Sequence, residues 1–182
     1  KEYLALNRPS GDFEFSPPNI WLSDSPDLKH WGEDKTLLLP HGKSWDSSKV
    51  GTGCPPIKTR HGWLLIYHGV NREEKNAKLF NKLRKAFPFI KHSYHNVYCA
   101  GAALLDLKNP SKVLARSGNN PLIRPEYQFE KAGFVNNVVF PTGAVMDEDN
   151  ESLLIYSGGA DTVTTVRKIK LDYILKHLKY RK

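Results

Sequence analysis

Trp63-Leu64-Leu65-Ile66-Tyr67 is an unbroken apolar run of five residues, too short for a helix of its own and of the length and type of a buried strand. Its surroundings, WDSSKVGTGCPPIKTRHGWLLIYHGV from Trp45 to Val70, fix how the chain enters and leaves it. Gly51 and Gly53 flank Thr52, so the backbone there can bend or lie close to a ligand. Pro55 and Pro56 impose an extended path, and Arg60-His61-Gly62 reads as a hairpin turn into the run. His68-Gly69 then places a polar side chain at the end of a rigid element, where binding and catalytic groups collect.

The rest of the chain repeats this plan. Short β-prone segments at 3–7, 19–23, 36–39, 53–59, 63–68, 98–106, 112–116, 138–146, 153–156 and 162–169 alternate with Gly, Pro, Asn and Asp punctuation. Two segments carry helical spacing. In 73–87, Leu79, Leu83 and Phe87 recur four apart among basic residues; in 171–178, Leu171, Ile174, Leu175 and Leu178 form one stripe. Leu64-Leu65-Ile66-Tyr67 is echoed by Leu153-Leu154-Ile155-Tyr156, 89 residues later. With the 27-residue basic segment at 71–97 set aside, that period suits one four-stranded blade and a long connection. The expected class is all-β, a β-propeller, with a β-sandwich as the alternative.

Charge narrows the function classes. The net charge is +8, but residues 71–97 hold seven Lys and Arg against two Glu, a local excess of +5. So local an excess describes one charged loop rather than a basic face, and no nucleic-acid partner is expected. No apolar run approaches the length of a membrane span. Leu79, Leu83 and Phe87 need a surface to pack on, which their own domain or a neighbouring subunit would supply; a homo-oligomer is one way to provide it. Cys54 and Cys99 read as buried free thiols, with one disulfide as the alternative. The chain opens at Lys1 inside a strand-like segment, as a chain beginning mid-protein would.

Four donors stand at or near ends of apolar segments: Arg8, Lys49, His68 and Tyr98. Together they would make a cationic, hydrogen-bonding pocket suited to an oxyanion such as phosphate. Two carboxylates stand beside glycines: Glu130 before Gly133, and Asp161 after Gly158-Gly159-Ala160. Such carboxylates suit bidentate bonding to sugar hydroxyls, against plainer readings as a surface ion pair and a turn cap. A nucleophile elbow, a P-loop, a dinucleotide fingerprint and zinc spacing are all absent from the sequence.

Five stretches in fixed order, FSPPNIWLSDSPDLKHW, WDSSKVGTGCPPIKTRHGWLLIYHGV, YCAGAALLDLKNPSKVLAR, FEKAGFVNNVVFPTGAV and LLIYSGGAD, resemble glycoside hydrolase family 130, the β-mannoside phosphorylases and related β-mannosidases. The resemblance implies a five-bladed β-propeller. Residues 1–182 would be its C-terminal portion, about three blades, with a basic helical insertion at 71–97 and a C-terminal helix and tail at 171–182. It implies phosphate binding by Arg8, Lys49, His68 and Tyr98, and sugar contacts from Glu130 and Asp161. The family's general acid is an aspartate on an earlier blade, so this stretch alone is expected to be inactive. The implied reaction is inverting phosphorolysis of a β-mannoside oligosaccharide, releasing α-mannose 1-phosphate. Inorganic phosphate is the co-substrate, with neither metal nor organic cofactor, in a cytoplasmic setting. An inverting β-mannosidase and a non-catalytic carbohydrate-binding propeller are the alternatives. Cys99, Ala100 and Ser157 depart from the family pattern at positions that bear on which sugar is accepted.

Overall fold

The computed structural model describes residues 3–9, 19–74 and 94–180. Among these residues the chain is mostly β, with all strands paired antiparallel in three sheets. The first sheet is β1 (Tyr3–Asn7), β2 (Ile20–Ser25) and β3 (Gly32–Leu38), in that order. The second runs from β4 (Lys49–Thr52) and β5 (Ile57–Thr59), both on β6 (Gly62–Glu74), through β7 (Tyr94–Leu105) to β8 (Val113–Ser117). The third is β9 (Val139–Met146), β10 (Ser152–Gly159) and β11 (Val163–Lys170), with β10 in the middle. Helix α1 (Gln128–Lys131) precedes β9. Helix α2 (Leu171–His177) leads into β12 (Leu178–Tyr180), which returns to the edge of β8.

The apolar run works because β6 is covered on both sides. Successive strand residues face opposite ways. Leu65 and Tyr67, with Cys99, Ala103 and Leu105 of β7, join Ile20, Leu22, Leu37 and Leu38 from the first sheet. Leu64 and Ile66, with Ala100, Ala102 and Leu104, join Val139, Leu153 and Ile155 from the third sheet and Ile174 of α2. The echo of this run in β10 is therefore a half-match. Leu153 and Ile155 are fully buried like Leu64 and Ile66, but Tyr156 is 39% exposed where Tyr67 is 0%.

Several boundaries differ from the sequence reading. Of the expected strand at 53–59 only Ile57–Thr59 is strand, as β5, and β4 ends just before it at Thr52. The N–H groups of Gly53 and Cys54 both donate to the carbonyl of Ile66, a bulge-like doubling, and the prolines that follow have no N–H to continue the ladder. The expected helix at 73–87 lies outside the described residues from 75 onward. Its first two residues are strand, because Asn71 to Glu74 pair with Val97 to Tyr94. The C-terminal segment is helix and then strand, rather than helix and tail. Cys54 and Cys99 are buried free thiols, and no helix among the described residues is long and apolar enough to cross a membrane.

Trp45 seals the side of the second sheet that faces the first. Its ring lies 5.5 Å from that of Tyr67 and over the bare backbone of Gly69 and Gly101. A Cβ at position 101 would sit 2.5 Å from Trp45 Cη2. Gly101→Ala is expected to lower stability by about 1–3 kcal/mol through overpacking, read as a lower midpoint in guanidinium denaturation. An unchanged midpoint would mean that the indole moves aside at no cost.

Candidate active site

Strand register builds the site. Lys49 pairs with Val70, which pairs with Tyr98; one row along, Gly51 pairs with His68, which pairs with Ala100. Directly opposed residues share a face, and so do residues two apart. Lys49, His68 and Tyr98 thus emerge together on the face that packs toward β9. Phe140 of β9 meets them there, its ring centroid 4.2 Å from that of His68 and 6.5 Å from that of Tyr98. Lys49 Nζ stands 5.1 Å from the centre of the Tyr98 ring, a cation–π contact.

Arg8 arrives from the end of β1, and Gly51 makes room for it. A Cβ at position 51 would lie 2.6 Å from His68 Nε2 and 3.0 Å from Arg8 Cδ, so the two side chains converge over bare backbone. The four sequence-predicted phosphate ligands are therefore brought into one cluster. His68 is 5% exposed, and its Nδ1 lies 3.2 Å from the carbonyl oxygen of Thr52. Burial pushes its pKa down to about 4; the Thr52 carbonyl opposes this, and the charges of Arg8 and Lys49 add to it.

A depressed histidine pKa makes folding acid-sensitive. Between the ordinary value of 6.5 and about 4, the unfolded chain holds a proton on His68 that the folded chain does not. Stability rises with pH through that window and falls as pH drops through it, by about 1.4 kcal/mol per unit and on the order of 3 kcal/mol across it. Removing the titration with His68→Gln should flatten this limb of the denaturation midpoint against pH. Equal acid sensitivity in both proteins would rule out His68 as its source.

The predicted sugar-contacting carboxylates fare differently. Glu130, in α1, is 0% exposed. Its Oε1 pairs with Arg167 Nη2 at 2.6 Å, and its Oε2 accepts from the N–H groups of Glu126 and Tyr127 at 2.9 and 3.1 Å. The carboxylate thus ties α1 to β11 through an ion pair that is buried rather than on the surface. Asp161 is exposed, in the turn between β10 and β11, where Ala160 (φ 48°) and Asp161 (φ 53°) are both left-handed and Thr162 N–H donates to Gly159 at 3.0 Å. The turn lies near the cluster through two backbone bonds, Ala160 N–H to Val138 and Tyr98 N–H to Asn137.

Sequence reasoning missed two features. Phe140 looked like one more apolar strand residue, yet it is the wall against which His68 stacks. Behind the sheet, Asp46, Tyr67 and Arg116 form a buried network. Asp46 Oδ2 accepts from Arg116 Nη2 at 2.6 Å and from the Tyr67 hydroxyl at 3.1 Å, and Arg116 Nη1 donates to the Leu39 carbonyl at 2.9 Å. Burial raises the Asp46 carboxyl above the usual range despite the Arg116 charge. A separate groove of about 650 Å³, lined by Leu4, Leu6, Leu22, Pro55, Trp63 and Leu105, is mainly apolar, with no charged side chain in its lining among the described residues.

Residues 1–180 match the family model of glycoside hydrolase family 130, described as beta-1,4-mannooligosaccharide phosphorylase. The chain belongs to this family. It is 40% identical to a 1,2-beta-oligomannan phosphorylase of Thermoanaerobacter sp. (strain X514) over 86% of its own length and 45% of the relative's. It is 38% identical to a beta-1,2-mannobiose phosphorylase of Listeria innocua serovar 6a, over 97% and 42%. The structure of a beta-1,2-mannobiose phosphorylase from Listeria innocua in complex with beta-1,2-mannobiose superposes with a TM-score of 0.77 at 36% identity, over 97% of this chain and 42% of that one. The chain spans about half the length of the curated relatives it matches.

Proposed function

We propose that the chain forms the phosphate-binding half of an inverting β-mannoside phosphorylase, a five-bladed β-propeller, that releases α-mannose 1-phosphate. The observation that carries this reading is the meeting of Arg8 and His68 over Gly51, with Lys49 and Tyr98 beside His68 on the same sheet face. Arg8 and Lys49 supply the charge that draws a phosphate out of water, and Tyr98 and His68 add directional bonds. Held there, the phosphate is aligned for attack at the anomeric carbon, a contribution of positioning and charge stabilisation. The general acid is assigned to an aspartate outside these residues, so residues 1–182 alone are expected to bind phosphate without turnover. Phosphate is the co-substrate and no cofactor is assigned. Asp161 is the carboxylate left open to contact sugar; Glu130 serves the same site indirectly, by holding α1 against β11. The relatives named above favour β-1,2-linked mannosides as substrate. A cytoplasmic location and self-association complete the reading.

The test is a chimera in which residues 1–182 replace the matching portion of the Listeria innocua enzyme. Products are followed as phosphate is varied with β-1,2-mannobiose as substrate. Mannose 1-phosphate rising with phosphate supports the reading. Free mannose as the sole product at every phosphate concentration would replace it with the mannosidase alternative.

A further inference from the structure

The tautomer of His68 carries a consequence for which anion this site can hold. The Thr52 carbonyl can only accept, so the ring nitrogen 3.2 Å from it, Nδ1, is the one that bears hydrogen. A second hydrogen on Nε2 would make the ring a cation. The groups around it oppose that: Arg8 beyond β1 and Lys49 on β4 are both cationic, β7 presents the Tyr98 phenol, β9 presents the Phe140 ring, and the side chain is 5% exposed. Neutral His68 therefore turns a bare lone pair, on Nε2, into the space over Gly51 beside Arg8. An oxyanion oxygen without hydrogen would set its own lone pair against that nitrogen. An oxygen that still carries hydrogen would donate to it.

We infer that the site binds its tetrahedral oxyanion together with one proton, shared between the anion and His68 Nε2, and so selects phosphate or arsenate over sulfate. This rests on the reading of the cluster as a phosphate site and deepens it. Arg8 and Lys49 attract any of these anions by charge; the choice among them belongs to His68. Sulfate has no proton to share near neutral pH, whereas phosphate has one in either of its common forms. The dianion donates its one hydrogen to Nε2 and draws none from the buffer, whereas sulfate could make the same bond only after Nε2 took a proton from solution, against the charges of Arg8 and Lys49.

Titration calorimetry of the 182-residue chain with inorganic phosphate and with sulfate, at matched ionic strength, tests this. At about pH 8, above the second ionisation of phosphate, the titration is repeated in two buffers of different ionisation heat. Phosphate should bind without net proton uptake, and sulfate should bind roughly 10- to 100-fold more weakly, with uptake of close to one proton. His68→Gln, whose amide N–H can donate without a proton from solution, should abolish the uptake that accompanies sulfate and narrow the gap between the two anions. Equal affinities with no proton uptake in the unaltered chain would overturn the inference and leave the phosphate site standing. Binding of neither anion would overturn the phosphate site itself, and the inference with it.

Discussion

Arg116→Ala is expected to destabilise the fold by about 3–5 kcal/mol, because it strands a carboxylate. Asp46 is 0% exposed, and Arg116 Nη2 at 2.6 Å is its charged partner. Without the guanidinium, Tyr67 still donates one hydrogen bond to Asp46 Oδ2, which is too little to hold an ionised carboxylate away from water. The same change frees the Leu39 carbonyl, which Arg116 Nη1 binds across the gap to the first sheet. Burial already raises the Asp46 carboxyl, so its protonation would relieve part of the loss and the deficit should shrink as pH falls. A cycle with Asp46→Asn separates the pair from the packing: the double variant should be less damaged than the two single losses added together. Guanidinium midpoints at neutral pH provide the measurement. A loss below about 1 kcal/mol for Arg116→Ala would mean that water reaches Asp46 and that the network contributes little.

What could be read from the sequence was whatever had a local cause. The Trp63 to Tyr67 run becomes a doubly covered strand because five apolar residues in a row leave no face for solvent. Gly51 could be singled out because a missing side chain is visible in a sequence, and it is where His68 and Arg8 meet. The prolines at 55 and 56 were legible as extended chain, but not as the break between β4 and β5, which depends on two amides sharing the Ile66 carbonyl. Partnerships between distant segments were hidden. Nothing near Glu130 in sequence announces Arg167, 37 residues on, and nothing near Asp46 announces Arg116, 70 residues on. A buried carboxylate and an exposed one look alike until the partner is known. The helical spacing at 73–87 was real as a pattern, yet at Glu73 and Glu74 a ladder continued from a long hairpin outweighs it.

Lys49→Ala, made in the chimera with the Listeria innocua enzyme, should raise the phosphate KM and lower turnover together. Lys49 belongs to the strand row that also carries Tyr98, and its ammonium stands over that ring, with no ion pair to a carboxylate among the described residues. A phosphate over Gly51 is the proposed object of its charge. Losing one charge-assisted bond costs about 1.5–3 kcal/mol, which is roughly 10- to 150-fold in kcat/KM for phosphate. The split is informative. A bond made equally to bound phosphate and to the transition state would appear in KM alone, whereas one that also aligns the attacking oxygen lowers kcat. On the proposed reading the ammonium both attracts the anion and fixes its position beside Tyr98, so both constants should move, while the KM for the mannoside should change little. Lys49→Arg should recover part of the loss, since charge and ring contact survive while the reach differs. If Lys49→Ala leaves the phosphate dependence unchanged and instead weakens mannoside binding, the cationic cluster belongs to the sugar and the phosphate assignment falls.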